Sequence, residues 1–96
     1  MSFPQQSQPS QTIAEKDEER RRLRRLQMMV GMVRAVLSQE PGLTIENAAE
    51  LISDCRHAAL AMFPGKELAF DLIYKPRLER AVKERYRLAS TVRESF

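Results

Sequence analysis

Residues 23–45 read LRRLQMMVGMVRAVLSQEPGLTI, from Leu23 to Ile45. Apolar side chains fall at Leu23, Leu26, Met29/Val30, Val33 and Val36/Leu37. These steps of three and four are the period of one face of an α-helix. Glu40-Pro41-Gly42 then ends the pattern, because a residue before proline is pushed out of the α region and glycine frees the turn that follows. Thr44 stands where a second helix needs its N-cap, with Glu46 in the first turn.

Upstream, Thr12 and Glu15 have the spacing of a capping box. The first helix is therefore expected from Thr12 or Ile13 to about Gln39. Its opening carries Glu15, Asp17, Glu18 and Glu19, which suit the positive end of the helix dipole. Five arginines follow within six positions: Arg20, Arg21, Arg22, Arg24 and Arg25. Asp17–Arg21 and Glu18–Arg22 are acid-before-base pairs at i,i+4, each worth ~0.2–0.5 kcal/mol. Gly31 inside the helix costs ~1 kcal/mol relative to alanine, which points to a close helix approach.

Downstream, a second helix is expected over residues 45–62, with the stripe Ile45, Ala48/Ala49, Ile52, Cys55, Ala59 and Met62/Phe63, widened by Leu51 and Leu60. Phe63-Pro64-Gly65 stops it. Residues 66–74 are ambiguous: Leu68, Phe70 and Leu72 alternate as in a strand, whereas Leu68/Ala69, Leu72 and Ile73 fit a helix face. Helix is favoured, since a lone strand would have no partner. Pro76 suits the first turn of a final helix running to about Ala89, with Leu78, Ala81/Val82 and Tyr86/Ala89 inward. The expected fold is all-α: a small bundle of three longer helices plus one short helix over residues 13–89. A disordered Gln/Ser/Pro-rich tail over 1–12 and a frayed end over 90–96 flank it.

A core of this size supplies only ~3–5 kcal/mol, so association is a reasonable source of further stability. The net charge of +3 conceals a pattern. Residues 13–39 carry seven bases and four acids, residues 40–71 two bases and six acids, and residues 72–96 seven bases and three acids. Two basic ends flank an acidic middle, so the chain could pair with itself or turn a basic face to an anion. The single cysteine, Cys55, excludes an internal disulfide, and one Cys with one His cannot build a zinc site. The most apolar segment, residues 26–37, is interrupted by Gln27 and Arg34 and falls well short of the ~20 residues a bilayer span needs. No signal-peptide pattern opens the chain. The expected location is the cytoplasm.

Catalytic chemistry has little to stand on. His57 is the only histidine, and Asp54 lies three residues before it, but no nucleophile, phosphate loop or carboxylate pair accompanies them. His57 reads as an ordinary helix residue, and no catalytic residue, cofactor or metal is expected. Cys55, on the apolar stripe, reads as a small core hydrophobe. Met28, Met29 and Met32 surround Gly31. Neighbouring helix residues point ~100° apart, so part of this set falls outside a narrow stripe. Methionine serves cores and adaptable binding surfaces alike, which makes Met28 and Met32 candidate interface residues.

The arginines admit two readings, a solvated face or a grip on phosphates. The final helix adds Lys75, Arg77, Arg80, Lys83, Arg85 and Arg87. If the two basic helices pack side by side, Arg20, Arg21, Arg22, Arg24 and Arg25 could form one field with Arg77, Arg80, Lys83 and Arg87. Only Tyr74 and Tyr86 are near enough to stack on bases.

Residues 43–52, LTIENAAELI, resemble the opening of the excisionase-like helix-turn-helix of small DNA-binding proteins. That resemblance implies a turn at Ser53-Asp54-Cys55 and a recognition helix from Arg56. No glycine sits in that turn, and the helix after it is nearly all apolar, with almost nothing to read base edges.

The sequence thus leads to a non-enzymatic protein-interaction module, an adaptor or regulator, binding itself as a homodimer or another protein. The alternative is a nucleic-acid-binding protein using the Arg20–Arg25 cluster and the C-terminal basic helix. Neither a membrane nor a small-molecule substrate is indicated.

Overall fold

The computed structural model describes the backbone of residues 12–94 and the side chains of residues 12–88. The expected tail lies outside the described residues, apart from Thr12, as do the last two residues of the expected frayed end. Four helical segments follow in order: α1 (Ile13–Gln39), α2 (Ile45–Met62), α3 (Glu67–Ile73) and α4 (Lys75–Glu94). The fold is all-α, with no strand among the described residues.

Local signals set the boundaries. The Thr12 hydroxyl accepts from the Glu15 N–H at 3.1 Å, and the Glu15 carboxylate accepts from the Thr12 N–H at 2.8 Å. This capping box satisfies two of the free donors at the start of α1. The Thr12 N–H, donating to the carboxylate, also holds the Glu15 carboxyl below the usual carboxylate range, since that bond favours the charged form. Thr44 caps α2 in the same way, accepting from Asn47 N–H at 3.0 Å. Gly42 and Gly65 both follow proline and both have positive φ, +74° and +81°, the Pro–Gly order that lets the chain reverse in two residues.

Those reversals give an up-down-up arrangement. Leu23 and Leu26 of α1 face Ala59, Leu60 and Phe63 near the end of α2 and Phe70, Ile73 and Tyr74 around α3. Arg34 and Ser38 face Arg77, Arg80 and Glu84. Thus α2 runs antiparallel to α1 and α4 runs parallel to it. α2 is unbroken from Ile45 to Met62, so the turn implied at Ser53-Asp54-Cys55 does not exist and the helix-turn-helix resemblance fails. Ten residues of helix-start composition carried it, and such composition suits any capped helix.

α3 and α4 form one bent helix. Tyr74 N–H donates to Phe70 O and Leu78 N–H to Tyr74 O, so the helical ladder continues through the join. Pro76 cannot donate to Leu72 O, and its ring crowds that carbonyl, which places the bend here. The segment left ambiguous by its spacing is therefore helical, and α4 extends past the expected end at Ala89 to Glu94.

The core holds Leu26, Val30 and Leu37 from α1, Ala48, Cys55 and Ala59 from α2, Phe70 from α3, and Leu78 and Ala81 from α4. Three alanines and a cysteine among nine residues leave few large side chains to fill the centre. α4 also secures the turn between α1 and α2. Arg85 donates to the carbonyl of Leu37 at 3.2 Å and to that of Glu40, and Tyr86 Oη donates to Leu43 O at 2.6 Å. The guanidinium satisfies carbonyls left free at the end of α1 and lies at the negative end of its dipole.

Gly31 is exposed, and a Cβ built on it meets nothing within 4 Å, which corrects the expected close approach. Gly31→Ala therefore removes a helix-interior penalty without a clash and is expected to stabilise the fold by ~0.5–1 kcal/mol. A thermal melt followed by circular dichroism should rise by a few degrees. A lower midpoint would mean that the open space beside Gly31 is filled in solution.

Candidate functional site

The cationic residues do not merge into one field. Arg20 pairs with Asp17 at 3.0 Å and Arg21 with Glu18 at 3.4 Å, both at i,i+3 and well exposed, so each contributes little. The expected i,i+4 pairs do not form. Arg22 instead lies over the Phe63 ring, 5.7 Å from its centroid, and its buried Nε has no hydrogen-bond partner among the described residues. Arg24 and Arg25 are exposed. α1 and α4 do pack together, but the α1 cluster sits beside α3 and the end of α2. Arg77 and Arg80 lie instead beside Arg34, about 18 Å farther along α1 than Arg22 at 1.5 Å per residue. Arg87 reaches Glu84 on its own helix at 3.0 Å, and Lys83 is exposed.

Met28 and Met32 are 64% and 67% exposed, and Val36 extends them at the next i+4 position. Met29, 100° away, packs against the core. The methionines thus divide between the core and an open face. Cys55 is buried, and desolvation pushes its thiol pKa up, the opposite of what a reactive thiolate needs. His57 is exposed with Nδ1 3.1 Å from the Ser53 carbonyl of its own helix. Among the described residues no group of His, Cys, Asp and Glu side chains could hold a metal ion. No helix there is long and apolar enough to cross a membrane.

The site that sequence reasoning missed surrounds α3. An apolar groove of about 300 Å³ is floored by Leu26, Ala59 and Phe70 and walled by Leu23, Leu60, Phe63, Ala69, Ile73 and Tyr74. Lys66 stands at its edge. A shallower depression continues it over Leu23 and Phe63, where Lys16, Arg20 and Lys66 face the single acid Glu19. Leu68 and Leu72, 71% and 68% exposed, extend the apolar surface over the outside of α3. Five of the seven residues of this helix are apolar, and it can bury only one face. Phe70 takes that face, so the other large side chains remain outside. The double periodicity of residues 66–74 was the signal: apolar residues that fit both a strand and a helix leave only the narrow Glu67/Asp71 stripe as a polar face.

Asp71 holds α3 in place. Its carboxylate accepts from Arg56 Nε at 2.8 Å and Nη2 at 3.1 Å, a bidentate link between α2 and α3. The guanidinium keeps the Asp71 pKa below the usual carboxylate range. The groove wall built on α3 is thus fixed by this ion pair on one side and by Phe70 on the other.

Comparison with protein-family models, with curated proteins and with solved structures returns no match.

Proposed function

We propose that this protein is a non-enzymatic protein-interaction module, an adaptor or regulator, whose groove seats an acidic amphipathic helix of a partner protein. The observation that carries this reading is the joining of an apolar groove to a cationic rim. Leu23, Leu60, Phe63 and Ile73 offer apolar walls for side chains spaced i, i+3/i+4, i+7 along a docked helix. Lys16 and Lys66 favour carboxylates on its flank, beside Arg20 already paired with Asp17. Exposed Leu68 and Leu72 widen the area an occupant would cover, and contiguous apolar surface of this kind marks interaction sites. The single buried thiol suits action in a reducing cytoplasm.

The test is selection from a random library of displayed peptides against the intact chain. Binders are expected to share apolar anchors at helical spacing and flanking Asp or Glu, and to bind far less to Ile73→Asp. Enrichment of basic sequences, or equal binding to that variant, would overturn the reading.

A second surface supports self-association. Met28, Met32 and Val36 form an exposed stripe on α1, too narrow for a large partner but suited to pairing with its copy across a twofold axis. Sedimentation at rising concentration is expected to show a monomer–dimer equilibrium that Met28→Glu with Met32→Glu shifts to monomer, with helicity unchanged. A monomer at all concentrations would exclude the homodimer.

A further inference from the structure

A second groove, between the C-terminal half of α1 and the first half of α4, has a different chemistry. Arg34, Ser38, Arg77, Arg80, Ala81 and Glu84 line a space of about 310 Å³. Three arginines from two helices line this groove, and the one carboxylate among them accepts two bonds from Arg87, at 3.0 and 3.1 Å. Arg34 and Arg80 have no carboxylate partner among the described residues.

Among the described side chains, most other arginines have an identified contact, as does Arg77 on the Tyr74 ring. Arg20, Arg21 and Arg56 hold acids, Arg85 holds carbonyls and Arg22 lies on a ring. Arg24 and Arg25 stay open but line no groove among those described. Arg34, Arg77 and Arg80 thus place three positive charges in one concave site against the single carboxylate of Glu84, an excess that an anion would offset. Arg77 is held over the Tyr74 ring, 5.9 Å from its centroid, which restricts its rotamers. Ala81 forms a small floor, and Ser38 brings a hydroxyl that can donate to an oxyanion.

We infer that this groove binds a terminal phosphate or pyrophosphate group. Guanidinium presents a planar fork that pairs with two phosphate oxygens at once. Three of them gathered in one place match a multiply charged terminal group, whereas a phosphodiester backbone carries one charge per unit and needs cations strung along a track. Past Arg80, Arg85 holds a carbonyl of α1 and Arg87 is engaged by Glu84, so among the described side chains exposed Lys83 alone is left to extend such a track. The site is separate from the apolar groove, so it adds a ligand class to the interaction surface.

The test uses the full chain, titrated calorimetrically with pyrophosphate, inorganic phosphate, sulfate and a mixed-sequence single-stranded oligonucleotide, at about 50 and 200 mM salt, a range in which phosphate contacts weaken sharply. Pyrophosphate is expected to bind with a Kd below ~1 mM, to raise the melting temperature, and to bind more tightly than sulfate. Arg34→Gln and Arg80→Gln should each weaken it by about tenfold or more, the equivalent of ~1.4 kcal/mol. Arg24→Gln should leave it unchanged. All three positions are exposed, so circular dichroism should match the parent and separate lost binding from lost folding. Absence of saturable pyrophosphate binding, or equal binding by the Arg34→Gln/Arg80→Gln double variant, would overturn the inference. So would oligonucleotide binding tighter than pyrophosphate that is lost in Arg24→Gln and kept in Arg34→Gln, which would move the phosphate contacts to the N-terminal half of α1.

Discussion

Leu78→Ala is expected to leave the domain largely unfolded at 25 °C. Leu78 and Leu37 are the two largest side chains with no exposed surface, and Leu78 lies two residues past the bend at Pro76, where α4 meets the core. Truncating a buried leucine costs ~2–5 kcal/mol, from the lost transfer energy and the cavity left behind. A single-core domain of this size has only ~3–5 kcal/mol to lose. The core offers few large side chains to relax into the gap, because Ala48, Ala59 and Ala81 make up a third of its buried residues. Urea unfolding followed by circular dichroism should show a shortened or absent native baseline for Leu78→Ala. Leu88→Ala, at a position 59% exposed, should stay within ~0.5 kcal/mol of the parent. A Leu78→Ala midpoint close to that of Leu88→Ala would mean that the described packing does not carry the stability.

That core was partly legible in the sequence. The caps at Thr12 and Thr44 and the Pro–Gly breakers act over three or four residues, so the bounds of α1 and α2 could be read directly. The stripe on α1 was also readable, but not which of its members are covered. Leu26, Val30 and Leu37 are buried, while Leu23 and Val36 on the same stripe stay open. That difference is decided by the length of α3 and by where α4 crosses, which are tertiary facts. The ion pair between Arg56 and Asp71 and the hold of Arg85 on the end of α1 join residues far apart in sequence, and no local pattern announces them. The Arg20–Arg25 run drew attention because it is contiguous. In the fold it separates into two ion pairs, one ring contact and two open side chains. The arginines that line one groove are instead Arg34, isolated in the sequence, and Arg77 and Arg80 of α4.

The groove gives the second large expected effect. Ile73→Asp should weaken a helical acidic ligand by about thirtyfold or more, the factor for a hot-spot loss of ~2 kcal/mol. Ile73 lines the wall and is about half exposed, so the carboxylate can stay hydrated in the free protein while spoiling the bound state. Its charge also repels an acidic ligand, so the size of the effect alone does not separate apolar contact from electrostatics. Lys66→Glu makes that separation. Lys66 edges both the groove and its shallow continuation, so reversing it should lower the association rate and flatten its salt dependence while changing dissociation little. Ile73→Ala, which removes apolar area without adding charge, should act on dissociation instead. Stopped-flow kinetics with a fluorescent peptide taken from the selection measures both. If Ile73→Ala changes only association, or Lys66→Glu only dissociation, the ligand lies along the cationic rim and the apolar groove is not its seat. If Met28→Glu weakens the peptide as much as Ile73→Asp does, the docking face is the methionine stripe on α1, and the groove beside α3 loses its assigned role.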